Sequence, residues 1–263
     1  MSSDRTQAFE GLTDAYHRFR PGYPEGLLDR LREHVRAGAD ASWPDPWLLV
    51  DAGAGTGIST RTLRHAFGPG PRVVGVEPGR DMLAAARAGE HGGVEYVAGR
   101  AERLPFPDSS ACLVLAAQAV HWFDRPAFYA EAARVLVPGG TVAVLNNDRD
   151  HRASAYLDAY ERLMEDHGDH YRRDHREYDT VAEMSAQPGL SEAGVSTAGW
   201  VRELDTGQVL GMAMSSSKMA AVVRNLGEER TRAHLTALVR EHFPDGGVRI
   251  PYVTRLFTAR RTG

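Results

Sequence analysis

A chain of 263 residues with 42% hydrophobic side chains can close one sizeable core, so the totals predict a single domain with insertions. Its formal charge of −4 offers no overall attraction to phosphate backbones, which disfavours nucleic acid as a partner. The lone Cys112 excludes an internal disulfide and a thiolate-rich metal site. No secretory-type leader and no run of about 18 apolar residues stands in the sequence, so the expected setting is the cytoplasm, away from membranes.

The first forty residues read as amphipathic helical material interrupted at RPGYP, where Pro21 and Pro24 end one segment and open another. After the loop SWPDPW a regular alternation begins: the apolar run LLVDAG, the helical stretch STRTLRHAF, the run RVVGVE, the helix RDMLAAARA and the run VEYVAG. It continues with CLVLAAQA, a helix from about Arg125 carrying Phe128, Ala132, Val135 and Leu136 as one stripe, a turn at Pro138, Gly139 and Gly140, and the strand TVAVLN. Residues 148–194 are polar and helical in spacing, an insertion expected to cap the sheet's carboxyl edge. The sheet resumes at VSTAGWVREL, helices begin near Thr206 and Gly227, and VRIPYVTRLFTAR alternates as a last strand. Strands alternating with helices predict an α/β fold with a mostly parallel sheet. It divides into an amino-terminal helical segment (1–45), a core (46–147), a helical cap (148–194) and the carboxyl-terminal part of the sheet (195–263).

The strongest local signal is LLVDAGAGTG, a strand running through Gly53, Ala54, Gly55 and Gly57 into a helix. Glycine lets a chain turn tightly and lets a ligand approach the backbone where parallel strands present their carboxyl ends. Glu77 closes the second strand about twenty residues after the last glycine, where an acid accepts hydrogen bonds from a ribose diol. A nucleotide or nucleoside ligand follows, and a nicotinamide dehydrogenase would share these features. Three details favour an adenosyl sulfonium instead. Asp51 ends the first strand, where it can face an ammonium group and would repel a pyrophosphate. The turn is GAGTG rather than the GxGxxG that grips a pyrophosphate. GRAERLPFPD supplies a second loop at the same edge, able to lie along an adenine.

Together DAGAGTG, VEP with Asp81 and Met82, AERLPFPD, QAVHWFD and RVLVPGG, in order over residues 48–146, resemble the class I S-adenosylmethionine-dependent methyltransferases. YHRFRPGYP and QAVHWFD resemble the small-molecule, type 11 branch that includes the trans-aconitate methyltransferases. The resemblance implies a Rossmann-like seven-stranded, mostly parallel sheet with helices on both faces and an antiparallel last strand. It implies S-adenosyl-L-methionine as cofactor and S-adenosyl-L-homocysteine as product, over the ends of the first, second and fourth strands. Asp51, Gly53, Gly55 and Gly57 would line the methionine side, Glu77 the ribose, Ala101 and Glu102 the adenine, with Gln118 beneath the sulfonium and Ala54, Pro78 and Met82 as further cofactor contacts. Arg100 stands where the family usually carries an acid before Ala-Glu, and a guanidinium cannot accept a bond from the adenine amino group.

Methyl transfer is an in-line displacement that mainly demands positioning and exclusion of water. A carboxylate acceptor needs no base, whereas a hydroxyl or amine does, and His121 on the loop after the fourth strand is the candidate; it equally suits a local hydrogen bond. Trp122, Asn146, Asn147 and Tyr23 are candidate contacts to a small-molecule substrate, an organic acid or specialised metabolite, while Tyr16 and Arg20 could close over the cofactor. His167, His170 and His175 invite a metal reading, but the density of charge around them favours a solvated helical face, so no metal is expected. Cys112 reads as a buried core thiol. Two other functions remain consistent with the cofactor pattern: a cyclisation or decarboxylation steered by the sulfonium without methyl transfer, and a non-enzymatic cofactor sensor. Monomer and homodimer are both compatible with the sequence.

Overall fold

A computed structural model describes residues 21–89, 92–173 and 178–263. The chain enters helix α1 (Glu25–Ala37) directly after Pro24, and Leu27, Leu28, Leu31 and Val35 form its buried stripe. The SWPDPW loop is packed rather than loose. Trp43 is buried, its indole N–H donates to the Pro138 carbonyl at 3.0 Å, and its ring meets Trp47 edge-on with centroids 5.2 Å apart.

Seven strands follow in the order β3-β2-β1-β4-β5-β7-β6 across one sheet. β1 (Leu48–Ala52), β2 (Arg72–Glu77), β3 (Val94–Ala98), β4 (Ala111–Ala117) and β5 (Leu136–Arg149) pair in parallel, while β7 (Val248–Arg261) runs antiparallel to both β5 and β6 (Leu190–Leu204). Every residue of β1 and β4 is buried, as unbroken apolar runs in a sheet covered on both faces require. Successive side chains sort to opposite faces. Leu49, Leu113 and Leu145 join a core under α1, α2 (Ile58–Phe67) and α3 (Arg80–Ala88), whereas Val50, Val114 and Val144 join another under α4 (Arg125–Val135). Asp124 caps α4 by accepting from the Ala127 N–H, with Pro126 in the first turn as expected.

Three boundaries differ from the sequence reading. No separate loop stands at Pro138–Gly140: β5 starts directly after α4, with an irregular register opposite Ala111 and Leu113. Gly139 has φ +78° there, and a Cβ would lie 2.5 Å from the Gly38 carbonyl, so the bulge needs glycine. Second, the segment assigned to the cap divides. α5 (Ala155–His167), capped by Ser154, does belong to it, but α6 (Thr180–Ala186) places Met184 in the sheet core beside α4, and β6 begins at Leu190 rather than Val195. Third, the segment 195–263 contributes most of the cap. α7 (Thr206–Met214), α8 (Ser217–Leu226) and α9 (Glu228–His242) bury Val209, Met219, Val222, Leu235 and Val239 against Tyr156 and Leu157 of α5. Their apolar residues build a third core around the ends of β6 and β7.

No helix among the described residues is long and apolar enough to cross a membrane. If α6 is a sheet-covering helix, Met184→Ala should lower the unfolding free energy in urea by about 2–5 kcal/mol, the cost of emptying a buried methionine site. A loss below about 0.5 kcal/mol, typical of surface substitutions, would place α6 outside the core.

Candidate active site

The sheet reverses its winding at β1, flanked by β2 on one side and β4 on the other, so the carboxyl ends of these strands open onto a crevice. The loop Gly53–Gly57 crosses that opening. Gly53 and Ala54 donate their N–H groups to the Val76 carbonyl at 2.9 and 3.1 Å, fastening the loop to the end of β2. Gly55 has φ +55° and nothing within 4 Å of where a Cβ would be, so backbone alone faces the opening. At Gly57, φ +84°, a Cβ would lie 2.2 Å from the Tyr96 hydroxyl, so the turn into α2 tolerates no side chain. No side chain caps the first turn of α2, which leaves its N–H groups to a ligand or water.

Glu77 sits at the centre of this edge. One carboxylate oxygen accepts from the Gly55 N–H at 2.9 Å and the other from the Gly79 N–H at 2.8 Å. The side chain is only 8% exposed yet lines the cavity, and each oxygen keeps capacity for a second donor. Burial raises its pKa, against the two backbone N–H groups that pull it down.

Asp51 occupies a different position from the one the sequence implied. It is wholly buried behind the glycine loop, does not line the cavity, and accepts from the hydroxyls of Ser59 and Thr60, both at 2.6 Å. Its second oxygen, Oδ1, is buried with no hydrogen-bond partner among the described residues. Burial pushes its pKa up to about 6; the two hydroxyls oppose the shift and the Glu77 charge adds to it. Asp51 thus ties the first turn of α2 to β1 from beneath.

Beyond Glu77, Pro78, Met82, Ala101 and Glu102 line the next part of the cavity. Glu102 accepts from the Asp124 N–H at 3.0 Å and stands 3.5 Å from Arg100, so this loop is fixed to the start of α4. Gln118, just past β4, holds φ +54°, a conformation that strains a residue with a Cβ, and its side-chain amide donates to the Asn147 carbonyl at 3.0 Å. His121 and Trp122 lie on a 3-10 turn (Val120–Trp122), their rings 5.1 Å apart, and both line the cavity, as do Tyr23, Asn146 and Asn147. Asn147 is also a structural tie: Thr254 donates its hydroxyl to Asn147 Oδ1, and Asn147 Nδ2 donates to the Gly22 carbonyl at 2.9 Å. Tyr16, Arg20 and His175 lie outside the described residues, and among the described residues no group of three His, Cys, Asp or Glu could hold a metal ion.

The cavity encloses about 1450 Å³ between the sheet edge and the cap. Single-ligand pockets run to roughly 1,000 Å³, so there is space for two ligands side by side. Its far wall comes from residues the sequence reading passed over: Arg149 at the end of β5, Glu161 on α5, Tyr171, Lys218 and Tyr252. Glu161 was legible in principle, because a charged residue amid Tyr156, Leu157, Tyr160 and Met164 interrupts an otherwise buried helical stripe.

Residues 50–144 match the family model of a methyltransferase domain. Over 92% of this chain and 98% of the other, the fold superposes with a TM-score of 0.70 and 26% identity on a solved structure from Anaeromyxobacter dehalogenans assigned as a type II methyltransferase. The chain is thus similar in sequence to methyltransferase domains over its core and has the fold of one over nearly its whole length. A Dictyostelium discoideum protein named as a methyltransferase is 27% identical across 82% of this chain and 79% of its own length. An uncharacterized methyltransferase of Mycobacterium tuberculosis is 38% identical across 57% of this chain and 56% of its own. The family match ends at Val144, before the cap, and so takes in the sheet edge with its glycine loop and Glu77.

The buried Asp51 carboxylate predicts a pH effect on the ligand-free protein. An acid whose pKa rises from 3.8 to about 6 on folding keeps its proton longer folded than unfolded, so stability falls as pH climbs through that interval. The effect is about 3 kcal/mol for a shift of this size, and Glu77, also raised, adds to it in the same direction. Asp51→Asn should flatten urea-unfolding stability between about pH 4 and 6 and stabilise the protein near neutrality; a profile parallel to the parent's would contradict this.

Proposed function

We propose that the cavity binds S-adenosylmethionine along the ends of β1, β2 and β4 and transfers its methyl group to a small molecule held under the cap. The observation that carries this reading is Glu77: a carboxylate at the end of β2 that lines the cavity, braces the glycine loop and keeps a lone pair on each oxygen for a ribose diol. Gly55 leaves room for the amino-acid end of the cofactor against bare backbone, and the uncapped start of α2 favours its carboxylate. Ala101 and Met82, both buried, form an apolar bed for the adenine. Asp51 acts on this site by holding α2 in place through Ser59 and Thr60, which accounts for one of its two oxygens.

When bound, the cofactor supplies an electrophilic methyl on a positively charged sulfur. The chain's own residues must then align an acceptor opposite the sulfur and exclude water. Gln118, pinned to Asn147 in a strained conformation, forms the floor at that point, and Trp122 contributes apolar wall. His121 stands where it can take a proton from a hydroxyl or amine acceptor, a role a carboxylate acceptor does not need. A cavity walled on one side by a helical cap suits a small molecule, and the charge of −4 gives no general attraction to nucleic acid.

Calorimetry with S-adenosylhomocysteine tests the reading. Glu77→Ala should weaken binding by about 1–3 kcal/mol, the range for a lost charge-assisted hydrogen bond, and unchanged affinity would remove Glu77 from the site. His121→Ala should lower kcat by a factor of about 100 or more if the acceptor loses a proton, while leaving the homocysteine product's affinity unaltered. A normal kcat would leave positioning as the catalytic contribution.

A further inference from the structure

Arg149 closes β5 on the cap side of the cavity, opposite Tyr252 in the sheet register. Its side chain is 23% exposed, and its guanidinium carbon lies 4.4 Å from the centroid of the Tyr160 ring. Glu161 stands 3.6 Å away, close enough to balance the charge and too far for a hydrogen bond. Glu161 is itself engaged, accepting from the Tyr171 hydroxyl at 2.6 Å.

Other arginines of this region are satisfied differently. Arg125 reaches both oxygens of Glu183 at 2.8 and 2.9 Å, Arg173 binds Glu165 and Asp158 at 2.6 and 2.7 Å, and Arg255 meets Asp148 at 2.9 Å. The Tyr160 hydroxyl also interacts with the Arg149 guanidinium, but a guanidinium carries a rigid fork of donors matched to a planar oxyanion, and leaving the rest of the fork unmet in a largely buried place is costly. The surrounding charge favours the same occupant. Lys218 and Arg152 line this part of the cavity, whereas Asp148 is matched by Arg255 and Asp150 accepts from the backbone of Arg152 and Ala153.

We propose that Arg149 anchors an oxyanion group of the acceptor, a carboxylate or phosphate gripped by its guanidinium fork, with the Tyr160 ring and Glu161 holding the fork in orientation. The proposal rests on the acceptor lying under the cap, and it makes Arg149 a determinant of acceptor specificity rather than of cofactor binding.

Succinate, tricarballylate, the neutral succinamide and inorganic phosphate serve as probes, titrated by calorimetry and thermal shift with and without saturating S-adenosylhomocysteine. The expected result is binding of at least one anion ten times or more tighter than succinamide, a tenfold or greater loss in Arg149→Gln, and partial recovery in Arg149→Lys. Homocysteine-product affinity should stay within twofold in both variants, which also reports that they fold. Phosphate preferred over both acids identifies a phosphorylated acceptor, and the reverse a carboxylate. Succinamide binding as well as succinate, no anion binding at all, or anion binding unchanged in Arg149→Gln each overturn the proposal. Failure of S-adenosylhomocysteine to bind the parent protein contradicts the cofactor reading instead, and the anion titrations without it still decide the role of Arg149.

Discussion

One carboxylate accepting from the backbone of two different turns organises the functional edge of this molecule. Glu77 holds the Gly55 N–H of the glycine loop and the Gly79 N–H that leads into α3, so the two segments that would flank a nucleoside move as one. Burial opposes its charge, and the two backbone donors compensate only in part, since its pKa remains raised. A partly compensated buried carboxylate with spare lone pairs is a site prepared for further donors. The loop's own bonds from Gly53 and Ala54 to Val76 make the same connection through the main chain, so the arrangement is set before any ligand arrives.

The fold supplies the place for that interaction. Parallel strands covered on both faces all present carboxyl ends to one side, and the reversal of winding at β1 opens the crevice there. The antiparallel β7 then lets the chain return beside β5 and carry three helices over the crevice before it. The result is a cavity with two unlike walls. One is glycine-rich backbone with the acids Glu77 and Glu102; the other is built from arginine, lysine, tyrosine and Glu161 side chains of the cap and the ends of β5 and β7. The first wall lies within the residues matched by the methyltransferase family model, and most of the second lies beyond them.

That division also explains what could be read from the amino-acid sequence. The glycine loop was legible because its backbone geometry demands glycine at fixed spacing, and Glu77 because an acid closing the second strand falls beside that loop. The sheet was legible because buried parallel strands leave unbroken apolar runs such as LLVDA. The cap was misplaced, since amphipathic helices after β6 carry no mark of which face of the fold they cover, and α6 shows the converse error at Met184. Asp51 was placed facing the ligand on motif position, yet the side-chain rotamer turns it to Ser59 and Thr60, a choice no linear pattern records. Arg149 escaped notice for a similar reason: one cation among thirty-one lysines and arginines acquires meaning only when the fold sets it against a cavity with Glu161 beyond hydrogen-bond reach.

The most direct test of the account is a crystal structure of the full chain with S-adenosylhomocysteine. The account predicts both ribose hydroxyls within hydrogen-bond distance of the Glu77 carboxylate, the amino-acid end against Gly55 and the adenine beside Ala101. A ribose bound away from Glu77, or a homocysteine tail directed elsewhere than the glycine loop, would contradict it.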